Sequence, residues 1–300
     1  MYIKNEKPLL SVVVPISKMA GRLSQLFFWV NQSKKYPIQI ILVHDIADIS
    51  TGEELHNFII QNEFPDLILI QGKYGSPGFA RNAGLEIATG EWIAFWDSDD
   101  MPILSSVLEA LSETGSSDEI VVGRFSTRNT LDGSVRDDYF HDDSIFSVAM
   151  NPGIWRMIFK SKIITNVSFT DLKSGEDQVF LSQINFAEKN HVFIPKIFYE
   201  YSVAQTSQLT NSQEALMDLP CASRLILDNA SKIRGDSLVF SLILIIRQQL
   251  SILKNGNFNL KFKVIFFMTS FIRILKFSTI KSILEAIYFV VINIKKYRII

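Results

Sequence analysis

The first hundred residues alternate between short continuous apolar runs and segments whose apolar residues recur at helical spacing. The continuous runs are typical of strands buried on both faces, and they cover residues 9–17, 38–45, 67–72 and 91–97. The helical segments between them cover residues 21–33, 52–62 and 78–90. The resulting order, βαβαβαβ, predicts an α/β fold with a mostly parallel sheet flanked by crossover helices.

The pattern changes twice further along the chain. Residues 119–126 and 191–203 have strand character, and residues 175–190 predict a helix with two acids in its first turn. After about residue 212 the chain becomes very apolar, in runs over residues 237–253, 264–277 and 282–300 that Lys and Arg interrupt. None of these runs has the roughly 18 uncharged residues expected of a membrane-spanning helix. We therefore predict one domain over residues 1–212 and a helical region over residues 213–300.

Charge divides unevenly between these two parts. Residues 1–212 hold 17 Lys and Arg against 26 Asp and Glu, whereas residues 213–300 hold 13 against 5. Apolar helices with a basic face are typical of peripheral contact with an anionic membrane surface. The alternative is an ordinary helical subdomain with solvated lysines. We expect membrane contact and no nucleic-acid partner.

Cysteine content and the N-terminus indicate the compartment. Cys221 is the single cysteine, so an intramolecular disulfide and a cysteine metal cluster are excluded. The first fifteen residues lack the apolar core and small-residue cleavage site of a signal peptide. We predict a cytoplasmic location, peripheral on the inner face of the plasma membrane.

Three carboxylates follow the fourth predicted strand within four residues. Asp97, Asp99 and Asp100 come directly after the apolar run that ends at Trp96. In open α/β sheets, ligands bind beyond the carboxyl ends of the strands, and Mg²⁺ and Mn²⁺ prefer oxygen ligands. We predict a site for a divalent metal, Mn²⁺ or Mg²⁺, at Asp97 and Asp99. Asp100 is expected to start the next helix as its N-cap. The alternative for Asp97, Ser98 and Asp99 is a capped turn, which is compatible with a metal site.

Four motifs together resemble glycosyltransferase family 2. They are "SVVVPIS" at the first strand, "IILVHD" at the second, "GSPGFARNAGLEIATGEWIAFWDSDD" and, further on, "SGEDQVFL". They follow the family order across roughly residues 9–203. The resemblance implies a GT-A, Rossmann-like fold and an inverting transfer of sugar from a nucleotide-diphosphate donor, with a UDP-sugar as the expected donor. It places the nucleotide-binding half at about residues 1–126 and the acceptor half at about 127–212.

The resemblance also implies roles for individual residues of the nucleotide-binding half. Asp45 would hydrogen-bond the nucleotide base, Pro15 would line the base pocket, and Arg81 would contact the nucleotide. Asp97 would lie near the ribose and the metal, and Asp99 would be the main metal ligand. The motif departs from the family at "VHDIAD", where His44 replaces the first acid and the usual serine is absent.

The acceptor half would supply the base and an aromatic contact. An acceptor hydroxyl is a poor nucleophile at neutral pH, so a carboxylate must take its proton, and the resemblance assigns this to Asp177 with Glu176 beside it. The alternative is that both acids only stabilise a helix N-terminus. Trp155 stands where related enzymes often carry an aromatic residue near the acceptor; core packing explains it equally well.

We interpret the chain as an inverting glycosyltransferase that transfers a sugar to a hydroxyl of a glycan or lipid-linked acceptor in bacterial surface polysaccharide synthesis. One alternative is a polyprenyl-phosphate sugar transferase of the same superfamily, which needs no base. Another is a catalytically inactive nucleotide-sugar-binding module, which the His44 departure keeps open. A nucleotidyltransferase is disfavoured because "PISKMAGR", after the first strand, has only one glycine for a triphosphate loop.

Overall fold

A computed structural model of the chain describes residues 7–64, 66–138, 143–203, 213–254 and 257–294. The chain divides into two compact units. The first comprises Met1–Tyr139, Ile154–Asp171 and Asn190–Thr206, and the second comprises Phe140–Gly153, Leu172–Lys189 and Ser207–Ile300. Two segments that precede residue 212, Phe140–Gly153 and Leu172–Lys189, thus belong to the same unit as the C-terminal helices. The domain boundary at residue 212 stays a prediction.

The first unit is built on a nine-stranded sheet. Its strands are β1 Leu10–Ile16, β2 Ile38–Asp45, β3 Leu67–Gly72, β4 Trp92–Phe95, β5 Met101–Pro102, β6 Ile120–Asn129, β7 Val135–Asp138, β8 Met157–Lys160 and β9 His191–Val203. The order is β3-β2-β1-β4-β8-β6-β9-β5, with β7 paired to β6. The first four strands are mutually parallel, as the βαβαβαβ pattern predicts, and β8 joins β4 antiparallel.

Crossover helices connect the parallel strands. The helices of this unit are α1 Ser24–Ser33, α2 Ile49–Gln61, α3 Pro77–Ile87, α4 Leu104–Glu113 and α6 Ser161–Ile164, with a 3₁₀ turn at Ile154–Arg156. Helix α3 has a well-formed start, because Ser76 accepts the Phe79 N–H and Pro77 occupies the first turn. Its interior glycine, Gly84, lets the helix lie directly on β1, since a Cβ there would come within 2.4 Å of Val13 Cγ1.

Pro15 marks the point where the sheet opens beside β1. Pairing between β1 and β4 extends only as far as Val13 and Phe95, whereas pairing with β2 continues past Pro15. A proline lacks the N–H that a fully paired central strand needs, so it is tolerated where one side of the strand is unpaired. The carboxyl edge of the sheet therefore begins at this residue.

The second unit is helical. Its helices are α5 Ile145–Met150, α7 Glu176–Gln183, α8 Gln213–Met217, α9 Leu219–Ala230, α10 Gly235–Lys254, α11 Leu260–Phe277 and α12 Ile280–Asn293, with a 3₁₀ turn at Phe186–Glu188. Helix α10 forms the core, and every residue from Ser237 to Ile245 is buried. Helices α5, α9 and α12 pack on α10, and α7 and α11 pack on α9.

Helix α10 is also the one described helix long and apolar enough to cross a membrane by length and composition. Of its most apolar 18-residue window, 61% is buried inside the protein. The central helix of a soluble domain has the same properties, so burial alone accounts for the composition of α10.

Replacement of Gly84 by alanine tests the packing of α3 on β1. Alanine normally stabilises a helix interior relative to glycine by about 1 kcal/mol. Here we expect destabilisation by about 1–3 kcal/mol, because the new Cβ overlaps Val13. Chemical denaturation measures the effect. Gly115→Ala is the control, since its Cβ would meet ordinary contacts of 3.4 Å or more. A Gly84→Ala variant that is more stable than wild type would contradict the close packing.

Candidate active site

Strand β9 holds the peptide that carries the three acids after β4. The N–H of Asp97 donates to the hydroxyl of Tyr199 at 2.9 Å. The N–H of Ser202 donates to Asp100 Oδ1 at 2.7 Å, and the hydroxyl of Ser202 donates to the Asp99 carbonyl at 2.8 Å. Two residues of one strand therefore fix all three acids, and both are buried.

The pKa values of Asp99 and Asp100 are both raised. Burial raises the pKa of Asp99 to about 6, and the negative charge of Asp97 acts in the same direction, although the Arg22 cation offsets part of the effect. Burial raises the pKa of Asp100 well above its usual range, and the charges of Asp99 and Asp97 add to this. The second oxygen of Asp100 has no hydrogen-bond partner among the described residues. The surroundings of Asp99 and Asp100 therefore oppose the ionisation of both carboxyl groups.

A buried arginine forms an ion pair with Asp97. Arg81 Nη2 lies 2.8 Å from Asp97 Oδ1, and Arg81 is only 4% exposed. The Arg81 guanidinium also lies 5.5 Å from the centre of the Phe169 ring. The neighbouring Asn82 exchanges two hydrogen bonds with the backbone of Phe169, at 2.9 and 2.8 Å. The "ARN" of the sequence therefore orients Asp97 and fastens α3 to Phe169; the predicted contact of Arg81 with the nucleotide stays a prediction.

Asp45 lies at the end of β2 and orders the loop that leads into α3. Its carboxylate accepts the N–H groups of Ala47, Tyr74 and Gly75 at 3.0, 3.2 and 2.9 Å. Burial acts to raise the pKa of Asp45, but these three backbone donors outweigh it and lower the pKa. Asp45 is ionised and half-buried at the carboxyl edge of the sheet, where Pro15 also lies. Its predicted contact with a base stays a prediction.

His44, the departure from the family pattern, has a structural role. The ring is 1% exposed; Gln71 Nε2 lies 3.1 Å from Nδ1, and the Asp48 carbonyl lies 2.8 Å from Nε2. The ring therefore lies between the Gln71 side-chain amide and the Asp48 carbonyl and contacts both. Gly52 makes room for it, because a Cβ there would come within 2.7 Å of the ring. His44 joins β2, β3 and the start of α2.

The remaining predicted residues fall in different places. Trp155 is half-buried and packs against the rings of Tyr199, Tyr201 and Phe125, with centroids 4.9, 5.3 and 4.7 Å away. Its role toward an acceptor stays a prediction.

Glu176 and Asp177 form the first turn of α7 in the second unit; Glu176 is buried and Asp177 half-buried. Their role as base also stays a prediction.

The residues at the end of β4 fit a divalent cation that is shared with a substrate. Among the described ranges, no three His, Cys, Asp or Glu side chains converge as a complete metal site. Asp97 and Asp99 supply two hard oxygen donors, and the raised pKa of Asp99 shows negative charge that a cation would neutralise. Mg²⁺ and Mn²⁺ are commonly held by one or two carboxylates plus phosphate oxygens. The donor set therefore suits a cation bound together with a diphosphate.

One expectation about this cluster is wrong. Asp100 does not cap the next helix, because α4 starts at Leu104 and its N-cap residue is Ile103. The intervening residues form β5, which pairs with β9, and the Asp100 side chain turns to Ser202 instead. The sequence analysis also missed Tyr199 and Ser202. Their strand was predicted, but nothing in the sequence shows that β9 runs beside residues 97–102.

The sequence profile of Glycosyl transferase family 2 matches residues 11–170. The chain belongs to this family. The match covers more than half of the chain and includes β1, β2, α3 and the three acids after β4. The family assignment and the glycosyltransferase activity expected from the four motifs are thereby confirmed.

Curated relatives agree with the family assignment. Glycosyltransferase GlyG of Streptococcus pneumoniae is 24% identical over 213 residues, which are 64% of this chain and 70% of that protein. The GalNAc(5)-diNAcBac-PP-undecaprenol beta-1,3-glucosyltransferase of Campylobacter jejuni is 23% identical over 212 residues, 68% of this chain and 67% of that protein. This family 2 member thus has relatives in bacterial glycan assembly.

Solved structures share the fold. Residues 1–349 of S. aureus TarS in complex with UDP-GlcNAc superpose with a TM-score of 0.68 at 17% identity, covering 96% of this chain and 89% of that one. The mannosyltransferase PcManGT of Pyrobaculum calidifontis, in complex with GDP-Man and Mn²⁺, gives 0.52 at 12% identity, covering 98% and 83%. The predicted GT-A fold with C-terminal helices is confirmed.

The raised pKa of Asp99 predicts a cost to the metal-free fold. Above about pH 6, Asp99 is ionised in both the native and the unfolded chain, but its ionisation is less favourable in the native chain. This difference lowers the free energy of unfolding. The loss disappears as the pH falls towards 4, where the native carboxyl is protonated. Asp99→Asn should therefore raise the free energy of unfolding at pH 7.5 by about 1–3 kcal/mol, and by much less at pH 4.5. Denaturation in a chelator measures both values.

The exposed Asp66 supplies the control for this experiment, and we expect Asp66→Asn to leave the stability within about 0.5 kcal/mol of wild type. A stability gain for Asp99→Asn that is equal at both pH values would rule out the charge explanation.

Proposed function

We propose that this family 2 glycosyltransferase is an inverting enzyme that transfers a sugar from a nucleotide-diphosphate donor, a UDP-sugar, to a hydroxyl of a glycan or lipid-linked acceptor in bacterial surface polysaccharide synthesis. The observation that carries the proposal is the carboxylate cluster after β4, with the Arg81–Asp97 ion pair and the raised pKa of Asp99. The UDP-GlcNAc complex of TarS supports a uridine nucleotide, and the undecaprenol-linked acceptor in the name of the Campylobacter relative supports the acceptor class.

The donor is bound at the carboxyl edge of the sheet in this proposal. Asp45 accepts the N–H of the base on oxygens that Ala47, Tyr74 and Gly75 already orient, and Pro15 lines the same edge. Arg81 holds Asp97 towards the ribose through their ion pair. A divalent cation, Mn²⁺ or Mg²⁺, held by Asp97 and Asp99 would neutralise the charge that develops on the departing diphosphate.

The reaction breaks the bond between the anomeric carbon and the diphosphate oxygen and forms a bond from that carbon to the acceptor oxygen. The acceptor hydroxyl loses its proton as the new bond forms, and Asp177 takes this proton in the proposal. Attack from the face opposite the departing diphosphate inverts the anomeric centre. Glu176 lies beside the base, and Trp155 is the proposed aromatic contact of the acceptor.

A panel of nucleotide sugars in a thermal-shift experiment, with and without Mn²⁺, identifies the donor, because a ligand stabilises the state that binds it. With that donor, we expect Asp177→Asn to lower kcat by about 10²–10⁴-fold while UDP still binds. Asp99→Ala should instead abolish the Mn²⁺-dependent part of the thermal shift. Asp171 is exposed, so Asp171→Asn is the control for both variants.

Two results would contradict parts of this proposal. Full transfer by Asp177→Asn to a polyprenyl phosphate would identify the alternative transferase, whose acceptor is already ionised and needs no base. Binding of a nucleotide sugar without any transfer or hydrolysis would identify an inactive binding module.

We further propose that the second unit contacts the membrane through an apolar face on α11 and α12. Of the 23 large apolar residues that are exposed in the described parts, 13 lie between residues 260 and 292. On α11 they are Leu260, Val264, Ile265, Met268, Phe271, Ile272 and Leu275, and on α12 they are Ile280, Leu284, Ile287, Tyr288, Val291 and Ile292. On each helix these residues recur at helical spacing, so each helix has one apolar stripe directed to solvent.

Charge supports an anionic membrane surface as the occupant of this face. From Arg247 to the end, the chain has ten Lys and Arg and a single acid. The exposed Lys261, Lys276 and Lys281 border the stripes, where long basic side chains reach lipid headgroups while their methylenes stay in the apolar layer. A second copy of the chain docked on this face would bring two basic faces together, and their like charges would repel. The proposal therefore puts the enzyme at the inner face of the plasma membrane, where the lipids are anionic.

Flotation with liposomes tests this face. We expect the full-length protein to float with phosphatidylglycerol vesicles at low salt, and to float several-fold less with neutral phosphatidylcholine vesicles or at high salt. Phe271→Glu should reduce flotation strongly, because it puts a charge in the apolar stripe. The matched control is Phe28→Glu on α1, because Phe28 is 55% exposed and Phe271 is 49% exposed. The membrane assignment would be overturned if the protein did not bind the vesicles. It would also be overturned if the protein formed a dimer without lipid and Phe271→Glu dissociated that dimer.

A further inference from the structure

The segment that leads into Asp177 is anchored by the C-terminal helices. The N–H of Lys173 donates to Asp218 Oδ2 at 2.7 Å. Gly175, just before α7, packs against α9 and α10: a Cβ on Gly175 would lie 2.8 Å from the Cβ of Ala222 and 3.2 Å from Nε2 of Gln248. Ala222 and Gln248 are both fully or almost fully buried.

Asp218 holds this segment instead of capping its own helix. It occupies the N-cap position of α9, where an aspartate commonly accepts an N–H from the first turn of its helix. Its side chain makes no such bond. The carboxylate accepts the Lys173 N–H, which lies 45 residues earlier in the chain. The start of α9 is therefore tied to the segment that precedes the two acids of α7.

The backbone conformation of Gly175 sets how the segment enters α7. Its φ of +87° lies in the left-handed region, which favours glycine, and its carbonyl accepts the N–H of Val179 in the first turn of α7. The direction of α7 therefore depends on how Gly175 is seated against Ala222. A displacement of Gly175 would move Glu176 and Asp177 with it, because both belong to the first turn of that helix.

We propose that α9, through Asp218 and Ala222, positions the 173–177 segment and thereby the carboxyl group of Asp177. Asp218 and Ala222 are positioning residues, since they act through the backbone of that segment. The inference rests on the proposed role of Asp177 as the base. It assigns the C-terminal helices a part in the chemistry, in addition to their proposed contact with the membrane.

Asp218→Ala and Asp218→Asn form the central test. Alanine removes the acceptor of the Lys173 N–H, whereas the amide oxygen of asparagine retains it. Because small misplacements of a catalytic group reduce turnover strongly, we expect Asp218→Ala to lower kcat about tenfold or more. The Kd of UDP with Mn²⁺ should stay within about twofold, because that site lies in the first unit. Asp218→Asn should recover most of the activity.

Two further measurements keep the test decisive if Asp218→Ala folds poorly. Ala222→Val adds methyl groups against Gly175 and should also lower kcat without weakening UDP binding. Hydrogen–deuterium exchange of the Lys173 amide should be faster in Asp218→Ala and close to wild type in Asp218→Asn. Unchanged kcat in Asp218→Ala and Ala222→Val, or an equal loss of UDP binding and kcat in these variants, would overturn the inference.

Asp177→Asn is measured beside these variants to separate the inference from the proposed function. Full activity in Asp177→Asn would refute the base assignment and the positioning role with it. An inactive Asp177→Asn together with fully active Asp218→Ala and Ala222→Val would refute the positioning role alone.

Discussion

The first unit depends on holding three carboxylates within four residues at the end of a buried strand. Their mutual repulsion and their burial both oppose ionisation, as the raised pKa values of Asp99 and Asp100 show. Hydrogen-bond donors reach the three acids from two sides. Arg81 pairs with Asp97 from α3, while Tyr199 and Ser202 on β9 bind the backbone of Asp97 and Asp99 and the side chain of Asp100. Asp99 keeps a pKa of about 6 in this arrangement, and its proposed role is that of a cation ligand.

This requirement explains much of the surrounding sequence. Helix α3 must lie close enough to β1 for Arg81 to reach Asp97, and Gly84 allows that approach. Asn82 fastens the same helix to Phe169, whose ring lies beside the Arg81 guanidinium. The loop before α3 is ordered by Asp45 through three backbone N–H groups. The family motifs of the first unit are thus a connected set of contacts around one charged cluster.

The C-terminal helices pack as one group in which α9 and α10 are central. Helix α9 packs against α7, which carries Glu176 and Asp177, and against α11, which carries part of the apolar face. Helix α10 is buried among its neighbours and forms the core of the second unit. The acidic "GED" segment and the basic apolar tail, which are far apart in sequence, therefore belong to one compact unit.

The sequence alone determined the elements that local periodicity encodes: the four parallel strands with their crossover helices, the long apolar helices of the tail, and, through four motifs, the family and its GT-A fold. It could not determine that β9 lies beside residues 97–102, that Asp100 binds Ser202 rather than capping α4, or that Asp218 holds Lys173, because these contacts join residues 45 to about 100 positions apart. Such pairings are decided by sheet order and helix packing, which depend on the whole chain burying its apolar surface at once. Local patterns carry no record of those partners, so only the tertiary structure could show how the charged cluster is held.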